Sequence, residues 1–493
     1  MHFSALDLLG VFFYLSIVLG CGLYAKGKQN SVRDFYLASR SLPWYFILFS
    51  IVATETSSLT FLSVPGISFS THIAFLQMAF GFILGRFFVA YFILPLYANG
   101  SYASIYQWVG EHFGEPTQKS VSAVFLITRI LADGIRLFVT SIPIALILGQ
   151  VFTDSLSQSE VGILTLLAIA IFTIIYTVIG GFRSVVITDS IQFWIYLLGG
   201  IFAFSFLLYQ LTQNQSISQL LEKAHSAGKF SFYQGFQGNF WQTPYYFINA
   251  VWGGAFITIG SHGIDQLIAQ RALACRTLAE SRKAIIASGF LVFVQFTLFL
   301  AIGILLYLHY PDSKIAKDQV FSRYILENIP APFAGFLVAA ILASAMSTLS
   351  SSINSLSLST QVDLKLSSKQ NQIKSSKLWS CFWGMVLFLS SLIPYFLSSN
   401  SKDSLVELGL KISSFTFGPM LALFCLLVLY KKYNFYVPAK VLPLSLLTTL
   451  VSCITSTYYL QPAFTFVIPL GFCLFFLIFF LFRQIHQLTR RSN

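Results

Sequence analysis

The chain has 493 residues, of which 56% are hydrophobic, 17% aromatic and only 10% charged. A soluble domain carries about 25% charged residues, so this composition excludes an ordinary water-soluble enzyme and requires lipid as the solvent. The net charge of +12 would suit a nucleic-acid partner, but the positions of the basic residues exclude that reading too.

Apolar stretches long enough to cross a hydrocarbon core of about 30 Å recur along the whole chain. The predicted elements are thirteen membrane-spanning helices, centred near residues 14, 55, 86, 135, 172, 199, 257, 295, 345, 388, 416, 449 and 474. The expected fold class is an all-α polytopic membrane protein, with residues 1–493 forming a single transmembrane domain. The first span lacks a basic leader and a small-residue cleavage site, so it reads as retained rather than as a signal peptide. With the amino terminus outside and the spans alternating, 20 of the 30 Lys and Arg residues fall on the cytoplasmic side. Six fall outside: Lys223, Lys229, Lys314, Lys317, Arg323 and Lys402. Basic segments resist translocation, so this bias sets the orientation and accounts for the positive balance. The expected location is the plasma membrane (the inner membrane in a bacterium), with the carboxyl terminus cytoplasmic. Arg86, Arg129, Arg136 and Lys411 remain, inside spans.

A charged side chain in mid-membrane costs about 2.5–3.5 kcal/mol on insertion scales, so polar residues within the spans are the informative ones. The second span carries Thr54, Glu55, Thr56, Ser57, Ser58 and Thr60 near its middle. Such a run competes with the backbone for hydrogen bonds and favours local unwinding, which a bilayer tolerates only around a cavity or within protein. Hydroxyl-mediated helix packing is the plainer reading, and the Glu within the run weighs against it. In the fourth span Arg129, Asp133 and Arg136 share one helix face. Two cations against one anion leave a positive surplus suited to a carboxylate-bearing solute, unless Glu55 or another buried acid pairs with them. The seventh span reads Gly260-Ser261-His262-Gly263-Ile264-Asp265-Gln266, a glycine-flanked break with a titratable ring and an acid. In the ninth span Ser344, Ser347, Thr348, Ser351 and Ser355 line one face, either as a small-residue packing seam or as hard oxygen ligands for an alkali cation. Asp189, Glu407 and Lys411 are further intramembrane charges, and Glu407 and Lys411 are spaced to pair.

The longest polar interruptions, 212–246, 310–330 and 361–377, read as loops, and no soluble domain fits between the spans. Cys21, Cys275, Cys381, Cys425, Cys453 and Cys473 lack metal-type spacing and read as small apolar residues. His262 and the serines lack a nucleophile–base–orienter spacing, so no enzyme is expected. No obligate protein partner is evident.

The run Tyr176-Thr177-Val178-Ile179-Gly180-Gly181-Phe182-Arg183-Ser184, followed by Thr188-Asp189-Ser190-Ile191-Gln192, resembles the signature of the sodium:solute symporter family. Ser41-Leu42-Pro43-Trp44, Asp265-Gln266 through Gln270-Arg271, and Ser347-Thr348-Leu349 to Asn354-Ser355 are similar to further motifs of that family, in consistent order. The resemblance implies two inverted five-helix repeats, spans two to six and seven to eleven, over about 41–211 and 245–430. Peripheral helices would cover about 4–24, 439–459 and 464–484, and the broken first helices of the repeats would be spans two and seven.

The resemblance also implies ligands. A sodium ion would sit between spans two and nine, on the carbonyls of Ala53, Thr56 and Ser344 and the hydroxyls of Ser347 and Thr348. A second sodium, found in some members, would use Asp189, Ser347, Ser350 and Ser351. The solute would meet Glu55, Ser57, Thr60, Gln77, Arg136 and His262. Carboxylate-transporting relatives place an arginine similarly to Arg136, whereas sugar-transporting relatives carry an amide where this chain has Thr60. The implied function is sodium-coupled import of a small organic solute by alternating access, with Na+ as coupling ion and the bilayer as surroundings. A proton-coupled symporter using Glu55, Asp189 or His262, and a transporter-like membrane sensor, are the rival readings.

Overall fold

The apolar helices of this chain break where their own residues supply the cause. A computed structural model describes residues 4–27, 29–149, 156–233, 239–311, 313, 315–317, 319–366, 371–396 and 405–492. All thirteen predicted spans appear as helix. The first is Ala5–Tyr24; the second is split into Trp44–Glu55 and Ser58–Ser70; the third runs Leu76–Phe88, then through a π-helical turn Val89–Ile93 into Leu94–Ala98. The fourth is Glu115–Gly149, and the fifth and sixth share Gln158–Thr212. The seventh consists of Phe247–Thr258, a π-helical segment Ile259–Ile264, and Gln266–Leu273. The eighth to thirteenth are Leu278–His309, Phe333–Val362, Gln372–Phe396, Leu405–Tyr433, Leu442–Leu460 and Phe464–Ser492. Among the described residues, nine of these helices are long and apolar enough to cross a membrane by composition alone, ten with the bent second span. The seventh, interrupted by its polar π-helical segment, is not among them.

The second span bends by 59°. Its first half ends with Thr56 in a non-helical conformation (φ −84°, ψ 89°). The hydroxyls of Thr54 and Thr56 donate back to the carbonyls of Ser50 (2.8 Å) and Val52 (2.5 Å). This is the competition with the helix ladder that the polar run implied. The fifth and sixth spans part at Gly181, whose φ of 66° and ψ of −164° suit only glycine. A Cβ at Gly181 would lie 3.0 Å from the carbonyl oxygen of Phe35. One glycine thus turns a 55-residue helix, too long for one crossing, into two.

The ninth span is the central post, with 89% of its apolar window buried against 33% for the first and twelfth helices. Its small hydroxyl side chains let neighbouring helices approach closely, and many bond back to their own backbone, such as Ser357 to Ile353 and Thr360 to Leu356. Large apolar side chains such as Phe12, Phe13, Leu444 and Leu477 point outward, as a lipid-facing surface requires.

Two loop contacts brace the split helices. Lys229 donates to the carbonyls of Phe69 (2.6 Å) and Thr71 (3.0 Å) at the end of the second span's second half. A cation at a helix carboxyl terminus complements the carbonyl dipoles there. At the opposite membrane face, Arg276 Nε donates to the Ser41 carbonyl at 3.1 Å, joining the loops that precede spans two and eight.

Candidate functional site

The breaks in spans two and seven open onto one cavity, in which water-sized spheres can occupy about 110 Å³. Glu55, Ser57 and Thr60 enter it from the second span, and Ser261, His262 and Asp265 from the seventh. Arg129 and Arg136 reach it from the fourth and Ser413 from the eleventh, while Phe75, Phe82, Phe296 and Phe417 supply aromatic walls. Unwound or π-helical backbone brings polar side chains together here because each break shifts the register of its helix.

Three acids and three arginines meet around this cavity. Arg86 of the third span, fully buried, donates to Glu55 and also, at 2.9 Å, to the Ser288 hydroxyl. His262 Nε2 lies 3.5 Å from the same Glu55 carboxylate. Arg129 donates to Asp265 at 2.6 Å and lies 3.6 Å from Asp133. Asp265 also caps the helix Gln266–Leu273, accepting from the Leu267 amide at 2.9 Å. Asp133 accepts from the Ser352 hydroxyl at 2.6 Å and from Arg136 at 3.4 Å. The positive surplus expected on the fourth span is therefore matched, because Asp265 arrives from the seventh span to pair with Arg129. Four of the six charged side chains are at most 3% exposed, whereas Glu55 and Arg136 are 20% and 18% exposed. Those two are the most exposed of the six.

Beside the cavity lie the oxygens expected to hold sodium. The last ladder bond of the second span's first half runs from the Thr56 amide to the Val52 carbonyl (2.9 Å). The helix ends there, so the carbonyls from Ala53 onward face the break rather than a following turn. Across from them, Thr348 Oγ1 donates to the Ser344 carbonyl at 3.1 Å, and the Ser347 hydroxyl donates to Asp189 at 2.8 Å. A hydroxyl that gives its proton away keeps oxygen lone pairs for a cation. Carbonyl and hydroxyl oxygens are hard, neutral ligands suited to an alkali ion.

Asp189 has two differently engaged oxygens. Oδ1 accepts from Ser347 and, at 3.4 Å, from Ser350. Oδ2 accepts from Ser50 (2.6 Å) and Arg271 (3.0 Å). Arg271, expected among the cytoplasmic loop residues, is only 1% exposed, because the last helix of the seventh span carries it into the packed interior. It also donates to Ser351, whose hydroxyl lies 2.9 Å from that of Thr54. Of the residues considered for a second sodium, Ser347 and Ser350 share one carboxylate oxygen, while Ser351 is held by Arg271.

Glu55, Ser57, Thr60, Arg136 and His262 are brought together at the cavity, and Gln77 is not. The Gln77 amide donates to the carbonyls of Phe232 (2.6 Å) and Tyr245 (3.3 Å), fastening the loop before span seven. Sequence reasoning missed the Arg86–Glu55 pair, although two opposite charges inside spans were its available signal. It also gave no notice of the four phenylalanines, which nothing distinguishes from ordinary lipid-facing residues. The side chain of Glu407, expected to pair with Lys411, lies outside the described residues.

Comparisons with known proteins identify the family and the fold. The model of the sodium:solute symporter family matches residues 35–436. The sodium/sialic acid symporter NanT of Aliivibrio fischeri is 23% identical over 445 residues, covering 88% of this chain and 84% of the relative. The sodium/glucose cotransporter of Vibrio parahaemolyticus is 26% identical over 382 residues, covering 71% of this chain and 67% of the relative. Among solved structures, the substrate-bound outward-open state of a Na+-coupled sialic acid symporter superposes with a TM-score of 0.83 at 22% identity, covering 97% of both chains. The architecture is thus the all-α membrane fold of two inverted five-helix repeats, shared with that structure. By its motifs, its broken helices and this family match, the chain belongs to the sodium:solute symporter family, a membrane transporter whose coupling ion is sodium.

Proposed function

We propose that this protein imports a small, carboxylate-bearing organic solute together with sodium by alternating access. The observation that carries the carboxylate is Arg136, a guanidinium 18% exposed to the cavity and held by Asp133 only at 3.4 Å. An arginine fork offers a carboxylate two parallel hydrogen bonds, better than the single long contact it has here. Charge counting supports the same class: the three acids and three arginines around the cavity balance, so a sodium ion alone would leave one positive charge uncompensated. A monocarboxylate restores neutrality in a site largely screened from water.

In the proposed cycle, sodium binds the carbonyls of Ala53, Thr56 and Ser344 and the hydroxyls of Ser347 and Thr348. The ion joins span nine to the break in span two and so fixes Glu55, Ser57 and Thr60 in their cavity positions. Solute then binds a preorganised site, and closure on one side with opening on the other carries both across. The core repeats are about 41–211 and 245–430, and the membrane is the plasma membrane, with the amino terminus outside. A second sodium on Asp189, Ser347, Ser350 and Ser351 would be useful with an anionic solute: one sodium moved through 100 mV gains about 2.3 kcal/mol, and a co-transported anion cancels that gain.

Uptake into proteoliposomes tests this. Monocarboxylates, sialic acids, neutral sugars and amino acids are offered with an inward sodium gradient, then with a proton gradient in sodium-free buffer. Sodium-driven accumulation of a carboxylate is the expected result. Accumulation driven by protons alone would transfer the coupling role to Glu55, Asp189 or His262, and preference for a neutral sugar would overturn the role of Arg136.

A further inference from the structure

A second groove lies far from the cavity, at the end of the molecule where most basic residues gather, between the first and sixth spans. Its apolar wall is formed by Cys21, Tyr24, Ile187 and Ile191, and Lys26 and Arg183 stand at its mouth. Both bases are exposed, and neither has an ion pair among the described residues. Arg183 is held beside Lys26 by packing: a Cβ on Gly27 would come within 3.1 Å of its Cδ. Tyr24, 95% exposed, stands at the same rim with an apolar ring and a polar tip, the kind of side chain that settles at a membrane interface.

We propose that this groove binds an anionic phospholipid, with the headgroup phosphate on Lys26 and Arg183 and an acyl chain along Ile187, Ile191 and Tyr24. Two unopposed cations favour an anionic headgroup over a zwitterionic one. The adjoining apolar wall favours a lipid over free phosphate, which has no use for it. The site also touches a working part of the fold. The Ser184 hydroxyl donates to the Gly22 carbonyl at 2.6 Å, and Gln29 donates to the Ile179 carbonyl at 2.8 Å. A lipid clasped here therefore bears on the Gly181 turn that separates the fifth and sixth spans.

The test is native mass spectrometry and thermal shift of the purified full chain with phosphatidylglycerol, phosphatidylcholine or inorganic phosphate. Phosphatidylglycerol should remain bound and raise the melting temperature, and the other two should not. Lys26→Gln with Arg183→Gln should weaken phosphatidylglycerol binding about 30-fold, the product of two surface cations. Lys26→Arg with Arg183→Lys should retain it, which separates lost charge from misfolding. Lys431→Gln with Lys432→Gln, a basic pair elsewhere, should also retain it. Equal binding of phosphatidylcholine, an equal shift with phosphate, or the same loss in the Lys431/Lys432 variant would each overturn the proposal.

Discussion

The Ser347 hydroxyl of the ninth span donates its proton to Asp189 Oδ1 of the sixth across 2.8 Å. One of the expected sodium ligands is thereby tied to a buried carboxylate. Ser347→Ala with Thr348→Ala removes two oxygens from the first sodium set and should cost about 1–3 kcal/mol of ion binding. Sodium half-saturation of uptake should rise roughly 5- to 150-fold, with membrane insertion intact. Unchanged sodium dependence would move the ion elsewhere.

Arg136→Gln keeps a polar side chain at the cavity but loses the fork and the charge. Carboxylate uptake should show a KM raised by roughly 10- to 150-fold, the effect of about 1.5–3 kcal/mol from a charged hydrogen bond. Expression should change little, since Asp133 keeps Arg129 and Ser352. Equal losses in uptake and in folded protein would mark Arg136 as structural.

Glu55→Gln should act on stability first. It leaves Arg86 buried without its counter-charge, a loss of about 3–5 kcal/mol when one member of a buried pair is removed. Adding Arg86→Met should recover most of the melting temperature in detergent without recovering transport. A single variant as stable as the parent would show that the pair contributes little.

Asp363 supplies a pH dependence. It follows the ninth span, fully buried, and accepts from Ser104 (2.8 Å), Ser359 (2.7 Å) and Gln118 (3.0 Å), all uncharged. Burial raises its carboxyl from 3.8 to about 6, with those three hydrogen bonds opposing the rise. The folded chain therefore holds this proton more tightly than the unfolded chain does. Its contribution is present at low pH and is lost as the pH climbs from about 4 through about 6, by roughly 3 kcal/mol. Melting temperature should fall over that window in the parent and stay flat in Asp363→Asn. A parallel fall in both would assign the dependence to another group.

The span count and the two broken helices were legible in the sequence because both follow from local chemistry. Apolar runs set the crossings, and Thr54 to Thr60 and Gly260 to Gly263 disrupt their own helices. Pairings were harder. Glu55 with Arg86, and Arg129 with Asp265, join residues far apart in the chain, where helical spacing gives no information. Local charge counting on the fourth span yielded a surplus that disappears once the seventh span packs against it. Arg271 illustrates the same limit. By position it borders a short basic loop, but the helix that carries it turns inward, and its guanidinium ends on Asp189 rather than in water. The hydroxyl face read on the ninth span, Ser344, Ser347, Thr348, Ser351 and Ser355, left out two further contacts of that span, Ser352 with Asp133 on the fourth span and Ser350 with Asp189 on the sixth.

Lys229 grips the end of the second span's second half through the carbonyls of Phe69 and Thr71, and its ammonium lies 3.9 Å from the centre of the Tyr307 ring. That half-helix cannot tilt without pulling on the loop or tearing the ammonium from these attachments. A fluorophore at Ser231, two residues along, would accordingly flicker with each tilt and let single molecules be timed as they turn over.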